Sequence, residues 1–445
     1  MVESLLEIAQ QAVEIATKAG ATSCDAVVIQ STDMSAGIRH GAPETIERAE
    51  SRGVGLRVFV GQSTAMLSTS DLSRQAMEKM AATAIAIAKA APADPYAGLA
   101  DASQLAKKLP VIETADPFEP SMEQLQQLGR ECETAGLEVR GITNSEGADA
   151  GYSRQRVALV TSHGFSHSYV STQSFISCSL IAGENDAMER DYDYITKTFY
   201  GDLPSAAFIG QEAARRTLGR LNPRKINSQQ AAIFFEPRVA KSLLSAFAGA
   251  ISGTAIARGT SFLKADMGKK VFAAGIQVID DPLLPRGLGS HPFDAEGIAA
   301  SKTEFVTDGV LNSWMLDCRS ARQLGMQTTG HAIRGLSSAP HPASTNLYIA
   351  AGKQTPDELM RSVKSGFLVT ETIGHGTNLI TGDFSVGASG YWVENGELAF
   401  PVSEVTIAGN LRDMYASFIA ANDLVLRTST NTPTLMVPQM TIAGE

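Results

Sequence analysis

The sequence predicts an α+β protein in which N-terminal antiparallel-sheet-plus-helix domains precede a larger, mostly β C-terminal domain. Three observations carry this. Apolar residues recur at helical spacing only in isolated stretches, period-two runs follow one another with glycines between them, and the regular strand-helix alternation of a parallel sheet is missing.

Ser4 with Glu7 three residues on has the form of a capping box, and Leu5, Ile8, Ala9, Ala12, Val13 and Ala16 then recur at helical spacing up to Gly20, predicting a first amphipathic helix. From Asp25 the period shortens to two, in runs over 25–30, 45–49 and 55–60, with Gly41, Gly53 and Gly61 placed as hairpin turns would be. Asp71 is the expected cap of a second, alanine-rich helix reaching about residue 91. The proline-bearing stretch that follows marks a seam, so residues 1–95 form one α+β domain and 96–121 a linker.

Residues 122–135 are expected to be helical, the alternating and β-branched residues of 138–200 to form strands, and a helix over 205–218 to close a middle α+β domain, 122–222. Asn222, Pro223 and the polar run to Gln230 mark a second seam. The C-terminal domain, 231–445, is glycine-rich with many short apolar runs, and helical spacing is strong only at 238–251 and 357–366.

Composition excludes several classes. The chain has 445 residues and a formal charge of -10, which repels a phosphate backbone, so no nucleic-acid partner is expected. Cys24, Cys132, Cys178 and Cys318 are far apart and form no CxxC pair, as expected of reduced thiols in a cytoplasmic protein. Glu3, Glu7 and Glu14 contradict an export signal, and the most apolar stretch, 81–91, is broken by Lys89 and is short of the ~20 residues that cross a bilayer, so no membrane association is expected.

No motif completes a reactive site: catalytic, metal and cofactor-binding residues are all read as none. His163 and His167 are four apart, but in a run that alternates as a strand, which would separate them by about 13 Å; a helix there would let them chelate. His291, His331, His341 and His375 are scattered among Gly, Pro and Ser, where loop histidines are commonly solvated or hydrogen-bonded. Asp280, Asp281, Asp294 and Glu296 are numerous enough for Mg²⁺ or Ca²⁺, yet match no EF-hand spacing, and Asp before Pro282 is a common turn starter. Gly352 and Lys353 lack the preceding glycine of a phosphate loop, Gly287 and Gly289 lack the third glycine of a dinucleotide fingerprint, and no GxSxG is present.

Longer wording is more informative. Residues 52–60 with 68–73, the run Asp280-Asp281-Pro282-Leu283-Leu284-Pro285, residues 294–297, 381–388, 391–397 and 401–410 together resemble the TldD/PmbA family, in its PmbA (TldE) branch, over almost the whole chain. The resemblance implies a two-chain peptidase in which a TldD-like partner supplies an HExxxH helix and a later cysteine as zinc ligands, and so places zinc in that partner and no cofactor in this chain. That helix falls here on residues 244–251, with Ser245 and Ala250 at the histidine positions and Ala246 at that of the glutamate; residues 423–433, which match the cysteine loop, hold no cysteine. A serine and two methyl groups can neither ligate Zn²⁺ nor take a proton from its water. Val239, Leu243, Leu244, Phe247 and Ile251 still mark an apolar stripe, and Gly249 and Gly253 are candidates for preserving the helix's local shape. The expected role is a non-catalytic subunit acting on unfolded peptides as a heterodimer, with a homodimer when alone left open. An adaptor of gyrase-modulator type and an independent metallohydrolase using the histidines or carboxylates above stand as alternatives.

Overall fold

A computed structural model describes residues 4–374 and 376–445; Glu3 and His375 lie outside the described residues. Helix α1 (Leu5–Lys18) opens with the expected capping box, Glu7 N donating to Ser4 Oγ at 3.2 Å and Ser4 N to Glu7 Oε2 at 2.7 Å. Strands β1 (Ser23–Arg39), β2 (Ala42–Val60) and β3 (Ser63–Thr69) follow as a meander turning at Gly41 and Gly61, both at positive φ. Gly53 is not a turn. It lies inside β2, where it and Gly55 leave room for Leu336 of the C-terminal region. Helix α2 (Arg74–Ala90) is capped by Ser73 rather than Asp71, which instead accepts from Ser73 N at 2.9 Å.

Helix α3 (Met122–Leu137), strands β4 (Ile142–Thr161), β5 (Ser166–Ala182) and β6 (Glu189–Lys197), and helix α4 (Ala206–Gly219) form the middle region. Strands β1 and β4 pair from Asp25↔Thr161 to Ile38↔Ala148, so both regions share one antiparallel sheet of order β3-β2-β1-β4-β5-β6. The strand period explains its two covers. Cys24, Ala26, Val28, Ala158 and Val160 face α1 and α2, while the alternate residues Val27, Val157 and Leu159 meet Ala100, Leu105, Phe293 and Cys318. Residues 96–121 run along that second face without forming a helix, Thr172 N donating to Thr114 O at 3.1 Å and Asp116 N to Thr172 Oγ1 at 2.7 Å.

The C-terminal region begins with β7 (Gln229–Phe235), α5 (Pro237–Ala250) and α6 (Gly253–Arg258). Short elements follow: β8 (Val278–Asp280), β9 (Thr303–Thr307), β10 (Val310–Leu311), α7 (Cys318–Leu324), β11 (Ala332–Ile333), β12 (His341–Pro342), β13 (Leu347–Ile349) and α8 (Pro356–Arg361). The chain ends with β14 (Ser365–Ile373), β15 (Asp383–Glu394), β16 (Glu397–Asn410), α9 (Leu411–Ser417), β17 (Ile419–Ala420), β18 (Thr430–Asn431) and β19 (Leu435–Ala443).

The main C-terminal sheet has order β16-β15-β14-β7-β19-β17 and closes on itself where β16 also pairs with β19; a second sheet has order β10-β9-β8-β13-β18. The helix expected over 357–366 stops at Arg361, because Ser365 onward is taken up by pairing with both β7 and β15. Tertiary pairing overrides local spacing there. Among the described residues, no helix is long and apolar enough to cross a membrane.

Candidate functional site

Strand β7 turns directly into α5 with Pro237 in the first turn, where its missing N–H costs nothing. Val239, Leu243, Leu244 and Phe247 are buried in the C-terminal core, and the Tyr415 hydroxyl donates to Leu243 O at 2.9 Å. The three positions matched to ligands and base do not converge. Ser245 is exposed and its hydroxyl donates to Lys241 O at 2.9 Å, Ala246 is half-buried against the core, and Ala250 is fully buried. Gly253 serves packing, since a Cβ there would overlap the Ser320 hydroxyl of α7.

Strand β18 packs against α5, so residues 423–433 do come beside the helix. Their polar groups close turns: Asn431 Oδ1 accepts from Arg427 N at 2.8 Å and Thr428 N at 3.0 Å, and the Asp423 carboxylate accepts from Thr434 N at 2.8 Å and Thr434 Oγ1 at 2.7 Å. The donor set offered by this helix and loop does not fit Zn²⁺, which takes thiolate, imidazole or carboxylate ligands. Ser245 and Gly249 border an open cavity of about 440 Å³ rich in hydroxyls, Ser252, Thr254, Thr260 and Ser344 among them.

The four carboxylates singled out in the sequence are spent on backbone. Asp280 accepts from Thr345 N at 2.8 Å and Thr345 Oγ1 at 2.6 Å and lies 3.3 Å from His331 Nε2, while Asp281 accepts from Leu283 N at 2.9 Å. Asp294 Oδ1 takes Glu296 N and Ile298 N, both at 2.9 Å, its Oδ2 takes Ala332 N at 3.1 Å, and Glu296 takes Cys318 N at 2.7 Å. They order the loops that dock the C-terminal region on the N-terminal sheet. Burial, reinforced by the neighbouring Glu296, pushes Asp294 up to about 7, and burial also raises Glu296 against the pull of Arg57, 3.6 Å away.

The described histidines do not gather into one cluster, although His291 and His331 both lie near Asp280. His163 sits in the β4–β5 turn with Nδ1 at 2.9 Å from Ala100 O, and His167 lies on β5 with its ring edge-on to Phe165. His291 is paired with Gly289 O at 2.9 Å and burial lowers its pKa; His331 meets Thr329 Oγ1 at 2.9 Å and His341 is exposed. Among the described residues, no group of three or more His, Cys, Asp or Glu side chains is placed to hold a metal ion.

A polar cleft that sequence reasoning missed lies where β6, α4, the start of α5 and residues 423–434 meet. Its two adjoining cavities, of about 480 and 160 Å³, share Arg216, Glu236, Pro237, Arg238 and Asp423. Arg238 grips Asp191 through both terminal nitrogens, at 2.7 and 2.8 Å, and donates to Tyr192 O at 3.2 Å. Arg427 Nη2 contacts both Asp193 oxygens, at 3.2 and 3.1 Å, and donates to Tyr194 O at 2.6 Å. Burial would raise the Asp191 carboxyl, but the Arg238 and Arg220 guanidiniums outweigh it and hold it below the usual carboxylate range. Such an arrangement of fixed donors with apolar walls suits binding. The visible signal was the alternation of Glu189, Asp191 and Asp193 along β6; the arginines that answer it are up to 234 residues away.

Comparison with known proteins agrees with this architecture. Family models described as PmbA/TldA metallopeptidase domain 1, central domain and C-terminal domain match residues 24–88, 115–221 and 228–444. The "Metalloprotease PmbA" of Escherichia coli O157:H7 is 35% identical over 449 residues, covering 100% of this chain and 98% of that protein. The crystal structure of a Bacteroides thetaiotaomicron protein, described as a candidate modulator of DNA gyrase, superposes with a TM-score of 0.91 at 27% identity over 99% of this chain and 98% of that one. TldE from Thermococcus kodakarensis, 18% identical, shares the fold with a TM-score of 0.89 over 98% of this chain and 99% of that one.

Proposed function

The chain belongs to the PmbA/TldD metallopeptidase family, on its PmbA branch, and from that membership we propose that it is the zinc-free subunit of a two-chain peptidase, pairing with a TldD-like zinc peptidase to degrade or trim unfolded peptides. The observation that carries this is the donor set on α5: one exposed hydroxyl bonded to its own helix, a half-buried methyl and a fully buried methyl, beside a loop without cysteine. Metal-activated water has no place to be held there, so this chain's part is structural, shaping and lining the chamber in which its partner works.

The test is co-expression with a TldD-like protein. A heteromeric mass, and cleavage of an unfolded peptide by the pair but not by this chain alone, are expected. Chelator-sensitive cleavage by this chain alone would sink the proposal.

Likeness to the Bacteroides protein, with its description as a gyrase modulator, favours a second reading, an adaptor acting on a topoisomerase. With a net charge of -10, such a role would run through protein contacts rather than DNA. Recovery of a topoisomerase without a TldD-like protein in a pull-down would select it.

A further inference from the structure

Two contacts between the C-terminal region and the N-terminal sheet differ in chemistry. Under β1 and β4 the contact is apolar, Val27, Val157 and Leu159 packing with Phe293 and Cys318, and the buried Asp25–Arg57–Arg334 cluster adds to it. At the far edge of the same sheet, β6 and α4 face the C-terminal region across the cleft described above, and among the described residues no buried apolar cluster holds side chains of both sides. Charge joins them instead. Arg238 pairs with Asp191 at 2.7 Å, Arg216 with Glu236 at 2.7 Å, Arg220 with Glu371 at 2.6 Å and Arg427 with Asp193 at 3.1 Å, each pair crossing from one side to the other.

The larger cavity shows why packing does not close this contact. Its α4–β6 wall is wholly charged, made by Asp191, Arg215, Arg216 and Arg220, while the opposite wall includes Phe234, Met360, Leu368 and Leu398, with a cavity of about 480 Å³ between them. Charged groups cannot be pressed onto apolar side chains without losing their water, so the two walls stand apart. The chain passes from α4 to the C-terminal region through residues 220–223, with Asn222 at φ +58, and is fixed again at Arg224, whose N–H donates to Pro401 O at 2.8 Å. A contact this polar, without an apolar seal, is where regions of one chain move relative to each other. Solvent ions reach the pairs, since Arg427 and Glu371 keep 35% and 33% of their side-chain surface. At ~1 M salt the screening length falls to about 3 Å, the span of the pairs themselves.

We propose that the cleft is a salt-sensitive jaw: β6 and α4 swing away from the C-terminal region when these ion pairs are screened or removed, turning on residues 220–223 and on the apolar contact under β1 and β4, which holds in both states. Opening widens access to the apolar wall of the larger cavity. The inference goes beyond the function proposed above and does not depend on it.

Double electron–electron resonance on the full chain tests this, with spin labels at Gln211→Cys on α4 and Glu397→Cys on β16, both exposed positions; the four native cysteines are buried. One short distance is expected at ~0.05 M salt, and a longer one in most molecules at ~1 M salt. Arg238→Gln combined with Arg427→Gln is expected to give the longer distance already at low salt. A second label pair, Gln62→Cys with Ser337→Cys, spans the contact of Leu336 with β2 and is expected to keep one distance throughout. An unchanged distance between the first pair across the salt series overturns the proposal. A parallel change in the second pair also overturns it, because the whole fold would then be loosening rather than one jaw opening. If the double arginine variant does not fold, the salt series with all four ion pairs intact decides.

Discussion

The Arg57 guanidinium donates through Nε to Asp25 Oδ2 at 2.8 Å with both side chains buried, and Arg334 of the C-terminal region donates to the other oxygen of the same carboxylate. Burial would raise the Asp25 carboxyl, but the Arg334 and Arg57 charges outweigh it and hold it low, so it is ionised at neutral pH. One carboxylate thus ties β1 and β2 to a segment more than 270 residues further on. Asp25→Asn takes from Arg57 and Arg334 the carboxylate they share, leaving Glu296, 3.6 Å from Arg57, as the nearest remaining counter-charge, and is expected to cost about 3–5 kcal/mol in urea unfolding. A loss under about 1 kcal/mol would show that the cluster contributes little to docking.

Leu336 lies over β2 so closely that a Cβ on Gly55 would overlap its carbonyl oxygen. Alanine in place of glycine within a strand would otherwise stabilise by roughly 0.5–1 kcal/mol. Gly55→Ala is therefore expected to lose stability, by about 1–3 kcal/mol of overpacking, and to expose residues 331–340 to limited proteolysis. Gly61→Ala, at φ +63 in open space, should cost only about 1–2 kcal/mol and leave proteolysis unchanged. Identical cleavage patterns for the two variants would refute the docking argument.

Asp294 sets a pH dependence of opposite sign to that of Asp25. Its folded pKa of about 7 lies above the ~4 of an exposed Asp, so the folded chain is the better proton binder between those values. The stabilisation it gives is full below about pH 4, falls as pH rises from 4 to 7, and is lost above that. Asp294→Asn cannot titrate, so the difference in unfolding free energy between parent and variant should drift against the parent across that window and level off beyond it. A difference independent of pH would contradict the assignment.

How far the sequence reveals this molecule depends on the range of the forces involved. The cap at Ser4, the helices α1, α3, α4 and α5, and the hairpin glycines Gly41 and Gly61 are local and were legible. Gly53 misled, because a glycine freeing space for a distant Leu336 has the same appearance as one that turns a hairpin. The unusual residues at 245, 246 and 250 of α5 could be read only through family resemblance, since alanine at helical spacing looks like any core face. The β6–α5 cleft stayed hidden because Asp191, Arg238, Asp423 and Arg427 come from separate segments that meet only in the tertiary structure, through the α5–β18 contact and the Arg238–Asp191 and Arg427–Asp193 ion pairs.

Ala250 bears on whether α5 could take the ligands that the resemblance places at positions 245 and 250. It is fully buried, and its carbonyl accepts from the Ser261 hydroxyl at 2.6 Å, itself buried. An imidazole at this position must enlarge a packed core, costing about 1–3 kcal/mol, and bury a ring nitrogen whose missing partner costs about 1–3 kcal/mol more. Ser245→His faces solvent and should stay within about 0.5 kcal/mol of the parent. Urea unfolding of Ala250→His, Ser245→His and the triple variant with Ala246→Glu is therefore expected to place nearly all the loss at Ala250, with no stoichiometric zinc by elemental analysis of any of them. If the triple variant instead regained stability on adding zinc, the helix would have the geometry of a metal site without its ligands, and the argument from burial would fail.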